Sequence, residues 1–261
     1  MSPSLRERVT ITLSPRRVVL ERFGRGLYPT LTDRKTLACA DAKEGANWHP
    51  AVEALREALT HPNVGSGDAT VVLSNHFVRY LLLAWNADLV SGQEDLAFAG
   101  ARFQQVFGEA ASEWALKLSH FGPGFASVAS AIERALLEAL STVIAGSPLR
   151  LRSIQPGFMA VCNARQRAPS GTAWVAMAEP GRLLLGSMHE GRWQSLRARP
   201  LNGHAVALKQ IVDQECLLLG VESNDRKVYL HRMGDASVDL QGMDVEPWLP
   251  EGPALPGGGA G

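Results

Sequence analysis

Val9-Thr10-Ile11-Thr12-Leu13-Ser14-Pro15-Arg16-Arg17-Val18-Val19-Leu20-Glu21-Arg22 is the stretch from which the fold can be read. Two runs rich in β-branched residues, Val9 to Leu13 and Arg17 to Arg22, flank Ser14-Pro15-Arg16, so the stretch reads as a β-hairpin. Lys35 to Ala40 supplies a third strand. Pro50 then sits where a helix begins without losing a hydrogen bond. Val52, Leu55, Ala58 and Leu59 make one apolar face before His61-Pro62 stops it.

Far downstream the same order returns. Strands are read over Ala173 to Ala178, Arg182 to Ser187 and Arg192 to Arg199, then a helix from Gly203 to Gln214 and a strand from Cys216 to Val221. Each half is three antiparallel strands, a helix and another strand, a recurrence that suggests duplication.

Between the halves, strands Thr70 to Leu73 and Val78 to Ala84 are joined by Ser74-Asn75-His76-Phe77. Ser91 and Glu94 form a capping box opening a helix with Leu96, Ala99, Phe103, Val106 and Phe107 on one face. A strand from Trp114 to Leu118 follows. A long helix then carries Phe125, Val128, Ile132, Leu136, Ala139 and Val143 on one stripe, and Arg150 to Ile154 and Phe158 to about Arg165 read as a strand and a helix.

The organisation expected is an N-terminal lobe over residues 1–148, with a subdomain inserted at about 74–120, and a C-terminal lobe over 149–233. From Gly234 the text turns to Pro and Gly, and 234–261 reads as a disordered tail. Within it Trp248 is an apolar punctuation able to dock on a groove, that of its own body included. The fold class is α/β, two-lobed, with mixed sheets covered by helices.

Composition narrows the function. Lys plus Arg and Asp plus Glu number 26 each, so no net field gathers nucleic acid or an anionic membrane. Cys39, Cys162 and Cys216 are odd in number and lie in apolar contexts, which points to thiols and a reducing compartment. No apolar run follows Met1 to Arg8, and the apolar stretches Tyr80 to Trp85 and Leu217 to Leu219 fall far short of the roughly 20 residues that span a bilayer. The expectation is a cytoplasmic protein that reaches the inner membrane only through a partner.

Chemistry-bearing motifs are sparse. The seven histidines form no i, i+4 pair and have no cysteine at a ligand spacing, so no metal site is expected. Ser74-Asn75-His76 groups a hydroxyl, an amide and an imidazole, but adjacent residues point apart and no G-x-S-x-G elbow exists. No catalytic residue is assigned.

Val72-Leu73-Ser74-Asn75-His76-Phe77-Val78-Arg79-Tyr80, followed by Trp85 and by Phe103-Gln104-Gln105-Val106-Phe107-Gly108, resembles a group of pilus-related proteins. These are PilM of type IV pilus assembly, the MSHA-pilus protein MshI and the cytoplasmic part of the type II secretion protein GspL. The similarity spans most of residues 9 to 232. It implies an actin-like (ribonuclease H-like) fold, whose active members grip nucleotide phosphates with two glycine-rich hairpin turns, each beside an acidic residue.

In the first turn, Ser14-Pro15-Arg16, threonine 12 stands where the resemblance puts the acid, and proline stands where an N–H is needed. The second, Glu179-Pro180-Gly181, keeps a carboxylate and a glycine but again inserts proline. The reading is a degenerate pseudo-ATPase with no cofactor. Arg16, Arg17 and Arg182 can still offer side-chain donors to a phosphate, so ATP is disfavoured and an ATP-binding, sugar-kinase-like enzyme stays a rival.

The function implied is a non-catalytic scaffold of a pilus or secretion assembly platform that binds a cytoplasmic peptide of an inner-membrane protein. Arg79, Tyr80, Trp85 and Trp248 are the candidate partner contacts, because tryptophan, tyrosine and arginine dominate binding hot spots. A self-assembling structural protein is the second rival, and a homodimer is compatible with either.

Overall fold

The computed structural model describes residues 6–26, 29–40, 47–61, 64–89, 91–165, 169, 171–201, 207–220 and 227–248. In chain order the elements are β1 (Arg8–Leu13), β2 (Arg17–Phe23), β3 (Leu31–Ala38), α1 (His49–Thr60), β4 (Gly67–Leu73), β5 (Val78–Leu83) and α2 (Gly92–Phe107). After a 3₁₀ turn at Glu109–Glu113 come β6 (Trp114–Ser119), β7 (Ser127–Glu133), α3 (Arg134–Ala145), β8 (Leu149–Pro156) and α4 (Gly157–Ala164). The remainder is β9 (Thr172–Glu179), β10 (Arg182–His189), β11 (Arg192–Pro200), α5 (Leu208–Leu219), β12 (Lys227–Arg232) and β13 (Val245–Pro247).

Two compact units emerge, one from residues 1–79 and 132–164 and the other from 80–131 and 165–251, apart from the last ten residues. The first is built on a sheet of order β3-β2-β1-β4-β8. β1, β2 and β3 are antiparallel neighbours, while β4 runs parallel to β1 and β8 parallel to β4. Register aligns Val9, Ile11 and Leu13 with Ala69, Val71 and Leu73, giving an unbroken apolar row, as a strand buried between neighbours requires. Helix α1 buries Ala51, Val52, Leu55, Ala58 and Leu59, the face expected from their spacing, and packs beside α3. Full burial of Leu55 is worth about 1.5–3 kcal/mol, and Leu55→Ala would cost about 2–5 kcal/mol.

β8 adds its whole length to this sheet and α4 belongs to the same unit, so the boundary expected after residue 148 falls a strand and a helix early. The long helix expected from Phe125 is instead strand β7 followed by helix α3. Val128 and Ile132 are four apart, a spacing that fits a helical stripe and also the period of two of a strand. β7 is the middle strand of a three-stranded sheet, β5-β7-β6, and Val128 to Ile132 are buried throughout, which suits their small side chains. The inserted subdomain therefore runs to about residue 131 rather than 120. Its core joins Leu83, Ala99, Phe103, Ala129 and Ala131, with Trp114, Leu116 and Leu118 packed against them.

The second unit holds the insert and a sheet of order β11-β10-β9-β12-β13. Again three antiparallel strands are followed by a helix, α5, and a strand parallel to the first, so the duplicated order is present in the fold. Trp174, Ala176 and Ala178 face Leu208, Ile211, Val212 and Cys216 of α5. The strand expected at Cys216 to Val221 is the end of that helix, because Ile211, Val212, Glu215 and Cys216 continue one helical stripe until Gly220 caps it in the left-handed region. The strand that follows is β12. Only its Val228 to Leu230 are apolar between charged ends, too short a run to register in the sequence.

The expected disordered tail also needs correction. Residues 234–248 include β13 and a buried Trp248, while Ala236 and Val238 join the core of the second sheet. The Pro/Gly run at 249–261 lies outside the described residues. Among the described residues no helix is long and apolar enough to cross a membrane.

Candidate functional site

The two hairpin tips fall at equivalent places, between the first and second strands of each sheet. Register pairs Glu179 with Arg182 across Pro180-Gly181, and Leu13 with Val18 across four residues, of which Ser14 and Arg17 are joined by a backbone hydrogen bond, so the tip of the first loop is Pro15-Arg16. In the first, the Ser14 N–H donates to the Arg17 carbonyl at 3.0 Å and the Ser14 hydroxyl donates to the same oxygen at 2.8 Å. The Ser14 hydroxyl is thus engaged in closing its own turn. The Arg16 carbonyl accepts the Cys39 N–H at 2.9 Å, tying the tip to the chain beyond β3.

In the second tip Gly181 has φ +78°, which with proline before it fits a type II turn. Its carbonyl accepts the Leu201 N–H at 3.1 Å. Glu179 is buried at the end of β9. Both tips lack an N–H at their first loop position, since proline has none.

The link from β4 to β5 lies beside the first tip. The Ser74 N–H donates to the Leu13 carbonyl at 2.8 Å, and Ser74 and Asn75 are fully buried. The Ser74 hydroxyl accepts the His76 N–H at 3.2 Å, a local turn of the kind serine forms. This places Ser14, Ser74 and Asn75 at the carboxyl ends of β1 and β4, the side of an open α/β sheet where ligands bind.

Of the candidate partner contacts, Arg79 is half-buried and donates from Nη1 to the His76 carbonyl at 3.0 Å. Burial lowers the pKa of its guanidinium, and the nearby Glu133 carboxylate partly counters this. Glu133 also accepts the Trp48 indole N–H at 2.7 Å. Trp48 and Glu133 are 85 positions apart in sequence, and nothing in the sequence signalled the pairing. Tyr80 is buried, whereas Trp85, just past β5, is 51% exposed. Trp248 is taken up by the chain's own body. It is 4% exposed and meets the Tyr229 ring edge-on, with centroids 5.6 Å apart.

No group of three or more His, Cys, Asp or Glu able to hold a metal occurs among the described residues. Burial pushes up the pKa of the Cys39 thiol and, far more strongly, that of Cys162, keeping both protonated.

No protein-family model and no curated protein sequence matches the chain. Solved structures do. The chain is similar to the cytoplasmic domain of EpsL, an inner-membrane component of the type II secretion system of Vibrio cholerae, with TM-score 0.55 at 11% identity over 92% of this chain and 89% of that one. It is similar to a structure of the PilM-PilN type IV pilus biogenesis complex, with TM-score 0.63 at 12% identity over 86% and 81%. A protein of Bacteroides thetaiotaomicron with an actin-like ATPase fold and unknown function matches with TM-score 0.56 at 7% identity over 88% and 83%. The fold is therefore actin-like, the one that the resemblance implied.

Proposed function

We propose that this chain is a non-catalytic platform component of a pilus- or secretion-type assembly, resident in the cytoplasm, that holds a cytoplasmic segment of an inner-membrane partner and works without nucleotide. The observation that carries the reading is the paired proline at the two equivalent hairpin tips, Pro15 and Pro180. Each removes an N–H at a place where an active relative would present one to phosphate. The Ser14 hydroxyl is moreover engaged with the Arg17 carbonyl.

The choice of machine and of partner class draws on the likeness to the EpsL domain and to PilM, the latter solved with PilN. The partner segment is assigned to Arg79, Tyr80 and the exposed Trp85, at the start of the inserted subdomain. A partly desolvated guanidinium and an exposed indole are side chains of the kind that anchor a bound peptide.

Two measurements test this. Thermal melting with Mg-ATP is expected to be flat. Stabilisation approaching about 2.7 kcal/mol at a hundredfold excess over the dissociation constant would overturn the nucleotide-free reading in favour of an ATP-binding enzyme. Affinity capture from native lysate is expected to retain an inner-membrane assembly protein, and to lose it with Trp85→Ala. Recovery of no envelope component would sink the platform reading.

A further inference from the structure

The two sheets differ most at their outer parallel edge. In the first, β8 pairs with β4 along its whole length, Gly67 to Leu73. In the second, β13 covers only Val228 to Leu230 of the six residues of β12. A strand of three residues is marginal on its ladder alone.

What holds it is a small set of side chains. Arg165 lies over the Tyr229 ring at 4.3 Å from its centroid and over the Trp248 ring at 4.5 Å, and its Nη1 donates to the Trp248 carbonyl at 3.0 Å. The Trp248 N–H donates to the Leu230 carbonyl at 3.0 Å, extending the ladder by one bond. Lys227 pairs with Glu246 at 3.2 Å on the exposed side. Pro247 sits in an edge strand, a position its missing N–H permits.

We propose that the edge of β12, with the slot that Trp248 fills against the Tyr229 ring and the Arg165 guanidinium, is a peptide-docking site occupied in cis by residues 243–248. The ligand it takes is an extended segment, parallel to β12, with an acidic residue facing Lys227 and a tryptophan two positions further on. The occupant is specified by the contacts already made: Glu246 supplies the charge and Trp248 the anchor. Removal of that segment would leave Tyr229 beside a guanidinium at an open strand edge, the combination by which strand-adding peptides gain affinity from backbone bonds and specificity from one aromatic anchor. The site is independent of the hairpin tips and of Trp85, so it stands or falls apart from the platform reading.

The test uses the full chain carrying Trp248→Ala and a fluorescein-labelled, amidated peptide of residues Gln241 to Trp248, read by fluorescence anisotropy. The expected result is binding to the Trp248→Ala chain at least about tenfold tighter than to the wild-type chain. Binding is lost when Arg165→Ala is added, or when the peptide itself carries Trp248→Ala. Equal binding to both chains would overturn the proposal. So would a Trp248→Ala chain that has lost its far-ultraviolet circular dichroism, because the tryptophan would then be core and not an exchangeable ligand. A wild-type dimer that dissociates on Trp248→Ala substitution would also overturn it, assigning the slot to exchange between copies.

Discussion

Ser14-Pro15-Arg16-Arg17 and Glu179-Pro180-Gly181-Arg182 close the same hairpin in two sheets of the same strand order, and they do it differently. They share proline at the first loop position and arginine at the exit. At the second loop position one has Gly181 at φ +78°, while Arg16 is not among the residues with positive φ. At the entry, Ser14 bonds to the Arg17 carbonyl, whereas Glu179 is buried at its strand end. Topology therefore does not dictate how a turn is closed, and the feature common to both tips is the missing N–H. The two sheets also distribute their cores differently. Val9, Ile11 and Leu13 share one apolar row in the first, whereas the α5-facing row of β9 has one large side chain, Trp174, beside Ala176 and Ala178.

That last difference carries the largest expected effect. Trp174→Ala empties the one bulky position of its row and is expected to cost about 3–5 kcal/mol in urea unfolding. Trp174→Phe should cost less than about 1.5 kcal/mol, because the buried indole N–H has no hydrogen-bond partner to lose. Equal losses from the two substitutions would mean that the row is not carried by ring volume.

The covering helices offer a second contrast. α5 is held to β11 by Glu215, 1% exposed, whose Oε1 accepts from Arg199 Nε at 3.1 Å and from its Nη2. Arg197 Nε lies 2.9 Å from Oε2, an ion-pair contact whose angle does not make it a hydrogen bond. Glu215→Gln is expected to cost about 1.5–3 kcal/mol, toward the low end because both arginines are well exposed and screened. In α1 the pair Glu53–Arg56 lies wholly on the surface, and Glu53→Gln should change stability by less than about 0.5 kcal/mol. A Glu53 effect as large as that of Glu215 would erase the distinction.

At the tips themselves, Gly181→Ala forces a Cβ into the left-handed region and should cost about 1–2 kcal/mol. Arg16→Ala at the matching position should carry no such backbone penalty, because Arg16 has no positive φ, and its denaturation midpoint should shift less than that of Gly181→Ala.

The hairpins, the repeated strand order and the two prolines were legible because turn residues and β-branched runs are local signals. β7 was not legible, since Val128 and Ile132 satisfy two periods at once and only pairing with β5 and β6 selects the strand. β12 was hidden by its short apolar run, and β13 by a Pro/Gly-rich context that reads as disorder until Arg165 and Tyr229 are brought to Trp248 across the fold. The same limit applies to the site: Ser14 and Pro15 could be named from sequence, but the joining of Trp48, Arg79 and Glu133 exists only in tertiary structure.

The smallest effect concerns acid. β4 ends in Val71, Val72 and Leu73, whereas β12 ends in Leu230, His231 and Arg232, so a titratable ring is placed in one sheet and not at the matching end of the other. Burial lowers the pKa of His231 from its ordinary 6.5. Above that value the imidazole is neutral in folded and unfolded chains alike, and its contribution is fully present. As the pH falls below it, the unfolded chain takes up the proton first, so stability declines until the folded protein protonates as well, and the loss is then constant. The expected outcome is that the urea midpoint drops between about pH 7.5 and pH 5.5 in the wild-type chain and drops less in His231→Gln. If both chains lose stability equally, the acid response lies elsewhere and His231 is protonated in the fold at little cost.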